Sequence, residues 1–370
     1  MKNSIQLFLC ASICLVSLAL GQTPPSYTVT LADPGTGPVT LGRGINDKGD
    51  TVTRSFNPAM APGSADVANK RKKQGSFNVL APVAGFTAAG PNDINNRGDA
   101  VGFSSNSVTN STATLWKKNG QIVDLGTIPG FPASIANEIS NSGIVAGVAS
   151  MNINSSSADA MAFRWSKGTM TAITHSAYQF GAAAGVSANG TVAGQMWNVF
   201  GGPGRDLAGF VADKHNNVTI LPTFPGGSFT ALFDINNDGM AVGVANSGAG
   251  LGMGVFEHGT IYDNNSGTMT PVFPPAGFQV AALRRINDSG TAVGLIVNVM
   301  QANPSAQAAV YSDGQLWEMN PLVVQDMMHF WIILEVRDIN NKGQISATAV
   351  DVASPGPAPV AVILNPVSNR

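Results

Sequence analysis

The sequence predicts an all-β protein, a seven-bladed β-propeller built from four-stranded blades. Three observations predict this fold: a turn phrase that recurs seven times, a second hairpin in most repeats, and chain ends that complement each other. No helical periodicity of useful length runs through the chain after its first 21 residues.

The recurring phrase consists of an aliphatic residue, a small polar residue, two variable residues and glycine, followed by an apolar pair. Asparagine or serine can initiate a turn by bonding its own backbone, and glycine supplies the left-handed conformation that a bulged hairpin needs. Several copies end with a small residue and glycine, as in Val242-Gly243. Each phrase therefore predicts two strands joined by a tight turn. The seven aliphatic residues are Ile45, Ile94, Ile139, Val186, Ile235, Ile286 and Ile339.

A second hairpin follows the phrase in most repeats, where an aromatic residue precedes a turn with glycine and a β-rich segment comes next. Two hairpins give four short strands within roughly 45–50 residues, which is the size of a propeller blade. The pairs of aromatic residue and turn glycine are Trp116 and Gly120, Trp165 and Gly168, Phe256 and Gly259, and Tyr311 and Gly314.

The chain ends predict closure of the last blade by the first strand. After the seventh phrase the sequence offers strands at about Gln344–Val350 and Val360–Leu364, so this blade lacks a fourth strand. Tyr27–Leu31 precedes the first phrase and has no blade of its own. We expect it to complete blade seven and to cover an edge that would otherwise invite aggregation.

The first 21 residues have the pattern of a signal peptide. Lys2 provides positive charge, Ile5–Leu20 is mostly apolar, and small residues precede a predicted cleavage before Gln22. The apolar segment is too short and too polar for a membrane span. Both cysteines lie inside it, so residues 22–370 form one predicted domain without thiol chemistry. The sequence thus predicts a secreted, periplasmic or extracellular protein.

The charge balance predicts no affinity for nucleic acid. Charged residues make up 11% of the chain and the formal net charge is −2, so no strong field of either sign is expected. One basic cluster occurs at Lys70–Lys73. We interpret it as a solvated loop, because nothing aromatic or basic accompanies it in the sequence.

These residues resemble the HAF family of probable extracellular repeat proteins. The fullest match is Asp93–Gly102 together with Trp116–Thr127. Other copies depart from it, and the residues that stand where the pattern has aspartate are Gly44, Glu138, Gly185 and Arg285. The resemblance implies a secreted repeat protein, suggests a propeller, and implies no established activity.

Loops on one face of the predicted propeller are the candidate binding surface. Phenylalanines recur between blades, and one long polar loop combines a tryptophan with an arginine and an aspartate. Exposed aromatic rings among uncharged polar side chains would suit a glycan, a peptide or a cell-envelope component. Alternatively, the phenylalanines are wedges between blades and the tryptophan is a buried structural residue. The predicted ligand contacts are Trp197, Arg205, Asp206, Phe86, Phe131, Phe229 and Phe278.

Calcium is one alternative cofactor. Asp234, Asn236 and Asp238 have the oxygen spacing that opens a calcium loop. No carboxylate follows at a later ligand position, and Arg97 or Lys342 replaces Asp238 in two sister copies. The sequence therefore favours a polar turn over a metal site or a calcium-dependent adhesion module.

Catalysis has little support in the residue inventory. The four histidines share no repeat position, and no zinc spacing or Gly-x-Ser-x-Gly elbow is present. Asp93, Glu138, Asp234 and Asp338 occupy matching positions and would ring one end of a channel. They would serve either as acid and base of a glycan hydrolase or lyase, or as turn caps. The leading hypothesis is a non-enzymatic binding or scaffold propeller.

Overall fold

The computed structural model describes residues 23–59, 66–107, 109–151, 159–198, 207–248 and 257–367. These residues form β-strands throughout, with one short 3-10 helix at Asn320–Leu322. The predicted signal peptide lies outside the described residues. None of the described helices is long and apolar enough to cross a membrane.

The strands assemble into antiparallel sets of four that follow the chain order. The described chain begins with β1 (Tyr27–Leu31). Sheet 1 contains β2 (Val39–Ile45), β3 (Thr51–Phe56), β4 (Val67–Arg71) and β5 (Phe77–Leu80). Sheet 2 contains β6 (Ala88–Ile94), β7 (Ala100–Ser107), β8 (Asn110–Trp116) and β9 (Ile122–Gly126). Sheet 3 contains β10 (Ala133–Ile139), β11 (Val145–Ser150), β12 (Ala160–Ser166) and β13 (Thr169–Ile173).

The pattern continues through the second half of the chain. Sheet 4 contains β14 (Phe180–Val186), β15 (Val192–Trp197), β16 (Leu207–Ala212) and β17 (Val218–Ile220). Sheet 5 contains β18 (Thr230–Ile235), β19 (Met240–Ala245), β20 (His258–Asp263) and β21 (Thr268–Val272). Sheet 6 contains β22 (Val280–Ile286), β23 (Ala292–Val297), β24 (Ala306–Ser312) and β25 (Gln315–Glu318). Sheets 2 and 3 are joined by the parallel pair of Ser111 with Ala133.

Sheet 7 combines the two ends of the described chain. It contains β26 (Trp331–Ile339), β27 (Ile345–Asp351) and β28 (Val360–Pro366), with β1 as its fourth strand. Tyr27 pairs with Pro366 and Leu31 pairs with Val362, in an antiparallel ladder. The predicted pairing of Tyr27–Leu31 with the C-terminal strand is therefore confirmed.

The turn phrase forms the predicted hairpin in all seven copies. In the first copy the amide of Gly49 donates to the carbonyl of Asn46 at 2.9 Å, and the Asn46 side chain accepts the amides of Lys48 and Asp50. The seven phrase glycines have φ between 71° and 90°, a conformation that side chains with a Cβ rarely adopt. Each turn consequently depends on its glycine and on a polar residue three positions earlier.

Hydrogen bonds link each turn to the turn of the next sheet. Asn46 Nδ2 donates to the carbonyl of Asn95 at 3.0 Å, and Asn95 donates in turn to Ser140. Asn340 Nδ2 donates to the carbonyl of Asn46 at 2.8 Å, across 294 positions of sequence. The first strands of the sheets contact one another in chain order, and β26 contacts β2.

The aromatic residue that ends the third strand is confirmed in three of the four predicted cases. Trp116, Trp165 and Tyr311 each precede a turn that contains glycine and leads into the fourth strand. The prediction for Phe256 is wrong in its register, because His258 and Gly259 lie within β20. The turn of sheet 5 lies at Asn264–Gly267 and follows Tyr262. Phe256 itself lies outside the described residues.

His258 is a buried member of the packing around sheet 5. Its ring is 1% exposed and lies between Phe224 at 4.8 Å and Phe273 at 5.4 Å. Nδ1 lies 3.0 Å from the Gly259 carbonyl oxygen, and a hydrogen bond between them requires the ring proton to be on Nδ1. Nε2 is buried without a hydrogen-bond partner. Burial therefore lowers the pKa of His258.

This histidine predicts a loss of stability in mild acid. The unfolded chain binds a proton at His258 near the ordinary pKa of about 6.5, while the folded chain resists it. The free energy of unfolding should then fall as the pH drops from about 6.5 to the lowered folded pKa. We expect His258→Phe to reduce the difference in melting temperature between pH 7.5 and 5.5. The exposed His215→Asn should leave that difference unchanged. If the melting temperature of His258→Phe fell between pH 7.5 and 5.5 by as much as that of the unmodified protein, the assignment would be contradicted.

Candidate binding site in the channel

A β-bulge in each first strand shapes the centre of the molecule. The register between first and second strand shifts just before every phrase, for example between Pro91 and Asp93 and between Leu232 and Asp234. A bulge turns side chains that would alternate between faces towards a common side. The residues one and two positions before the phrase aliphatic both line the central cavities as a result.

The first cavity, of about 110 Å³, is lined by residues from all seven phrases. Asp93, Glu138, Asp234 and Asp338 contribute carboxyl groups, and Arg285 contributes a single guanidinium. The sequence-predicted ring of carboxylates therefore exists at the turn end of the channel. Its chemistry depends on what each oxygen already binds.

The three aspartates of this ring connect neighbouring first strands. Asp93 accepts the amide of Ile94 at 2.7 Å and, through its other oxygen, the amide of Ile139 in the next sheet at 2.8 Å. Asp234 and Asp338 make the same pair of bonds, and Asp338 thereby links sheet 7 to Ile45 of sheet 1. These aspartates therefore bridge neighbouring first strands, whereas the alternative considered from the sequence was that they cap turns.

Glycine stands at the ring position where the neighbouring aspartate needs the space. A Cβ on Gly44 would lie 2.6 Å from Asp93 Cα, and a Cβ on Gly185 would lie 2.6 Å from Asp234 Cα. The departures of Gly44 and Gly185 from the aspartate pattern therefore have a steric reason.

Glu138 and Arg285 complete the charge balance of the ring. Glu138 accepts the amide of Val186 at 3.3 Å, and its pKa is raised well above the usual range by burial and by the nearby charge of Asp234. Burial works to lower the pKa of Arg285, but the carboxyl groups around it, led by Glu138, raise it above the ordinary value. Arg285 also donates to the carbonyl of Phe233 at 3.0 Å. The three aspartates of the ring are thus committed to backbone amides, whereas Glu138 Oε2 is buried without a hydrogen-bond partner among the described residues.

The second cavity, of about 200 Å³, is lined by the residues two positions before the phrase aliphatic and by Arg285. Asn92 and Asn137 are engaged here, because each donates to a backbone carbonyl of the next sheet. The seven residues at this position are Arg43, Asn92, Asn137, Ala184, Phe233, Arg284 and Arg337.

Three of these residues form an arginine cluster, Arg43, Arg284 and Arg337, contributed by the adjoining sheets 1, 6 and 7. Arg337 pairs with Glu335 at 2.6 Å. In the described part of the chain neither Arg43 nor Arg284 forms an ion pair, and Arg43 Nε is buried without a hydrogen-bond partner. The three guanidinium groups of the cluster therefore exceed the single carboxylate, Glu335, that is ion-paired with one of them.

The electrostatics of the arginine cluster favour an anion. Burial, and then the charges of Arg337 and Arg54, lower the pKa of Arg43 to about 9. Burial and the same Arg337 also lower the pKa of Arg284. A further cavity of about 190 Å³ shares Arg284 and Arg337 with the second cavity and is also lined by Leu334 and Glu335. An anion placed among these guanidinium groups would relieve their mutual repulsion.

Two of the four phenylalanines predicted as ligand contacts belong to inter-sheet packing. The amides of Phe86, Phe131 and Phe278 close turns at the loops between sheets, and their side chains are half-buried. Phe278 also packs against the core of sheets 5 and 6. Phe229 is 4% exposed and packs with Val244 and Ala282, so its prediction as a ligand contact is wrong. The wedge alternative therefore fits Phe229 and Phe278, because both pack in the hydrophobic clusters between sheets 5 and 6.

Trp197 is likewise a structural residue. It ends β15, pairs with Phe180 and Leu207, and is 4% exposed. Its ring is therefore not offered to a ligand, and the buried alternative holds. Arg205 and Asp206 lie outside the described residues.

Two of the three predicted calcium ligands, Asp234 and Asn236, accept backbone amides. Both carboxylate oxygens of Asp234 accept amides, and Asn236 Oδ1 accepts the amides of Asp238 and Met240. Throughout the described ranges no group of three or more His, Cys, Asp or Glu side chains is arranged to hold a metal ion. The polar-turn interpretation accounts for these contacts.

The arginine cluster was missed because its position carries no repeat signature. Arginine, asparagine, alanine and phenylalanine all occur there, so the residue type does not recur. Superposing the seven phrases would have placed Arg43, Arg284 and Arg337 in one column. Three arginines at one repeat position are unusual in a chain of 370 residues with 20 lysines and arginines, and this coincidence is the signal that could have indicated the cluster.

Comparison with solved structures identifies the fold. No known protein family and no curated protein matches the sequence. An oligogalacturonate lyase in complex with manganese is similar, with a TM-score of 0.55, 12% identity, and coverage of 93% of this chain and 96% of that chain. An oligogalacturonate lyase from Vibrio parahaemolyticus has a TM-score of 0.54 and 10% identity, and the match covers 93% of this chain and 97% of that chain. The β-propeller domain of the Trilobed protease from Pyrococcus furiosus has a TM-score of 0.54 and 7% identity, and the match covers 90% of this chain and 98% of that chain. At these identities the likeness shows the fold alone, and the chain is a β-propeller.

Proposed function

We propose that this protein is a secreted, non-enzymatic binding propeller whose arginine cluster holds the acidic group of a small glycan. The observation that carries the proposal is the convergence of Arg43, Arg284 and Arg337 on one cavity with Glu335 as the paired carboxylate. A guanidinium binds a carboxylate through two parallel hydrogen bonds, and it does so best where water is partly excluded. The adjoining cavities of about 200 and 190 Å³ suit a small ligand.

The proposed architecture is a closed ring of seven four-stranded blades. Support comes from the seven phrases around one cavity, from the bond of Asn340 to Asn46, and from the Asp338 link between the last and first sheets. The resemblance to HAF repeats and the signal-like residues 1–21 support export. Residues 22–370 contain no cysteine, so stability would not depend on disulfides in an oxidising compartment.

Binding is favoured over lyase or hydrolase chemistry because Glu138 is the one carboxyl of the described ring that keeps an oxygen, Oε2, without a hydrogen-bond partner, and one carboxyl cannot serve as both acid and base. An acid and base need carboxyl oxygens that are free to exchange protons with a substrate. Both oxygens of Asp93, Asp234 and Asp338 accept backbone amides that hold the first strands together. These aspartates are better explained as structural links.

The test compares D-glucuronate with D-glucose, which share a ring and differ in one carboxylate. We expect glucuronate, but not glucose, to raise the melting temperature of the purified protein and to give a calorimetric binding signal. In the double variant Arg43→Gln/Arg284→Gln the affinity should fall by at least about tenfold per arginine, because charged hydrogen bonds are lost.

The control is Lys214→Gln, which removes an exposed lysine from the outer turn of sheet 4 and should bind glucuronate normally, because Lys214 lines neither cavity. The folded state of Arg43→Gln should be intact, since this change removes a buried charge that neighbouring arginines repel. Equal responses to glucose and glucuronate, or unaltered binding in the double variant, would overturn the proposal.

A further inference from the structure

A groove between sheets 1 and 2 collects much of the positive charge of the molecule. Its volume is about 440 Å³, larger than either channel cavity. Turns at the outer ends of both sheets form its walls, together with the phrase turns around Lys48 and Gly98. The groove is separate from the arginine cluster, because none of the arginine-cluster residues lines it.

Six of the 20 lysines and arginines of the chain line this groove, in a protein whose net charge is −2. Asp50 is the acidic residue of the lining, and one of its oxygens accepts the amide of Lys73. The six basic residues are Lys48, Lys70, Lys72, Arg97, Lys117 and Lys118.

Most of these cations are available to a ligand. Lys70 is engaged, because its Nζ donates to the carbonyl of Gly98 at 2.6 Å. Arg97 is 3.4 Å from Asp99 but remains half exposed. Lys72 and Lys118 are exposed on opposite walls of the groove, and their ammonium groups have no ion pair within the described ranges. The field in the groove is therefore positive and accessible.

The fold changes the interpretation of the Lys70–Lys73 cluster. It was interpreted as a solvated loop because no basic residue accompanies it in the sequence. The turn of sheet 2 brings Lys117 and Lys118 to the same groove, and Arg97 joins them from the phrase turn. Basic groups from three distant segments thus converge on one concave surface.

We propose that this groove binds a linear acidic polysaccharide. An extended chain with regularly spaced anionic groups matches cations on both walls. The exposed aliphatic side chains in the lining, Val79 and Ile122, offer apolar contact to the C–H faces of sugar rings. The proposal concerns a polymer at the outer surface, in addition to the small ligand in the channel.

The lining favours a glycan over nucleic acid. Non-specific binding of single strands relies on exposed aromatic rings on which bases stack. The aromatic residue of this groove, Trp116, is 3% exposed, and its Nε1 donates to the carbonyl of Ala81. No ring face is therefore presented to a base.

The experiment measures binding of carboxymethyl dextran, with dextran as the uncharged match and a 20-nucleotide oligothymidylate as the competing class. We expect binding of carboxymethyl dextran at low salt, weakening as salt is raised, and no binding of dextran. Lys72→Gln/Lys118→Gln should reduce the affinity by about tenfold, because two of the exposed charges are removed.

The matched control is Lys167→Gln/Lys214→Gln, which removes two exposed lysines from the outer turns of sheets 3 and 4. We expect this control and the arginine-cluster variant Arg43→Gln/Arg284→Gln to bind carboxymethyl dextran normally. A negative result for the groove proposal would then be distinguishable from a negative result for the channel proposal. Tighter binding of oligothymidylate, equal binding of dextran, or an equal loss in the control variant would overturn the inference.

Discussion

Gly243→Ala is expected to lower the free energy of unfolding by at least about 3 kcal/mol. A Cβ at this position would lie 1.8 Å from the carbonyl oxygen of Ala231 in the facing strand. Both partners belong to β-ladders, because Gly243 is paired with Leu232 on one side and with Thr260 on the other. The clash is with backbone in the middle of a sheet, so side-chain rotation cannot relieve it.

The same contact recurs through the molecule, which makes the expectation general. A Cβ on any of the equivalent glycines would lie 1.8–2.2 Å from a carbonyl oxygen of the facing first strand. The close approach lets the bulged first strand pack onto the second strand in each sheet. The equivalent glycines are Gly102, Gly147, Gly194, Gly243 and Gly294.

Thermal and urea unfolding of Gly243→Ala measure this effect, with Gly209→Ala as the matched control. Gly209 also lies in a strand, but a Cβ there would meet the side chains of Leu232 and Leu221 at 3.3 and 3.4 Å. Those side chains can adjust, so the control should lose little stability. A Gly243→Ala protein as stable as the control would show that the first and second strands do not pack this closely.

The phrase glycines and the small-residue-plus-glycine pairs could be predicted from the sequence, but for unequal reasons. A glycine three positions after asparagine implies a left-handed turn, and its φ values agree. The glycine of Val242-Gly243 recurs in five of the seven copies, yet its cause is a carbonyl in another strand. The repeat pattern therefore predicted the positions of the strands, but it did not predict how closely the first and second strands pack.

The register error in sheet 5 shows a limit of the same method. His258-Gly259 imitates the aromatic-and-glycine turn of the other repeats, but a Cβ on Gly259 would approach Leu283 at 3.1 Å. That glycine serves packing between sheets 5 and 6 instead of a turn. Only the long-range contact distinguishes the two uses, so the sequence alone favoured the wrong one.

The candidate sites were the least predictable part of the molecule. Trp197 and Phe229 attract attention because aromatic residues often bind ligands, yet both rings are buried. The arginine cluster and the basic groove combine residues that are separated by dozens to hundreds of positions. Their chemistry comes from charges that the fold brings together, which no local pattern in one sequence encodes.

Removal of residues 23–31 is expected to destabilise the protein by roughly 5 kcal/mol, because burial and hydrogen bonds are lost together. β1 pairs with β28 along its whole length, and the amide of Val324 donates to the carbonyl of Tyr27 at 2.8 Å. The Tyr27 ring is 3% exposed and packs in the core of sheet 7 with Trp331 and Leu364. Without β1, the edge of β28 and this core become exposed, and an unpaired edge promotes association between chains.

Unfolding by heat and the mass distribution in light scattering measure the two consequences. The truncated protein should melt earlier and self-associate, and a synthetic peptide of residues 23–33 added in trans should reverse both changes. Tyr27→Phe is the matched control, because it keeps the ring that packs in the core. The phenol that it removes is uncharged at neutral pH, since burial raises the pKa of Tyr27 to about 12. Tyr27→Ala should lose about 3 kcal/mol. Because β1 joins the two ends of the described chain, a truncated protein that stays monomeric and equally stable would mean that sheet 7 does not need its fourth strand.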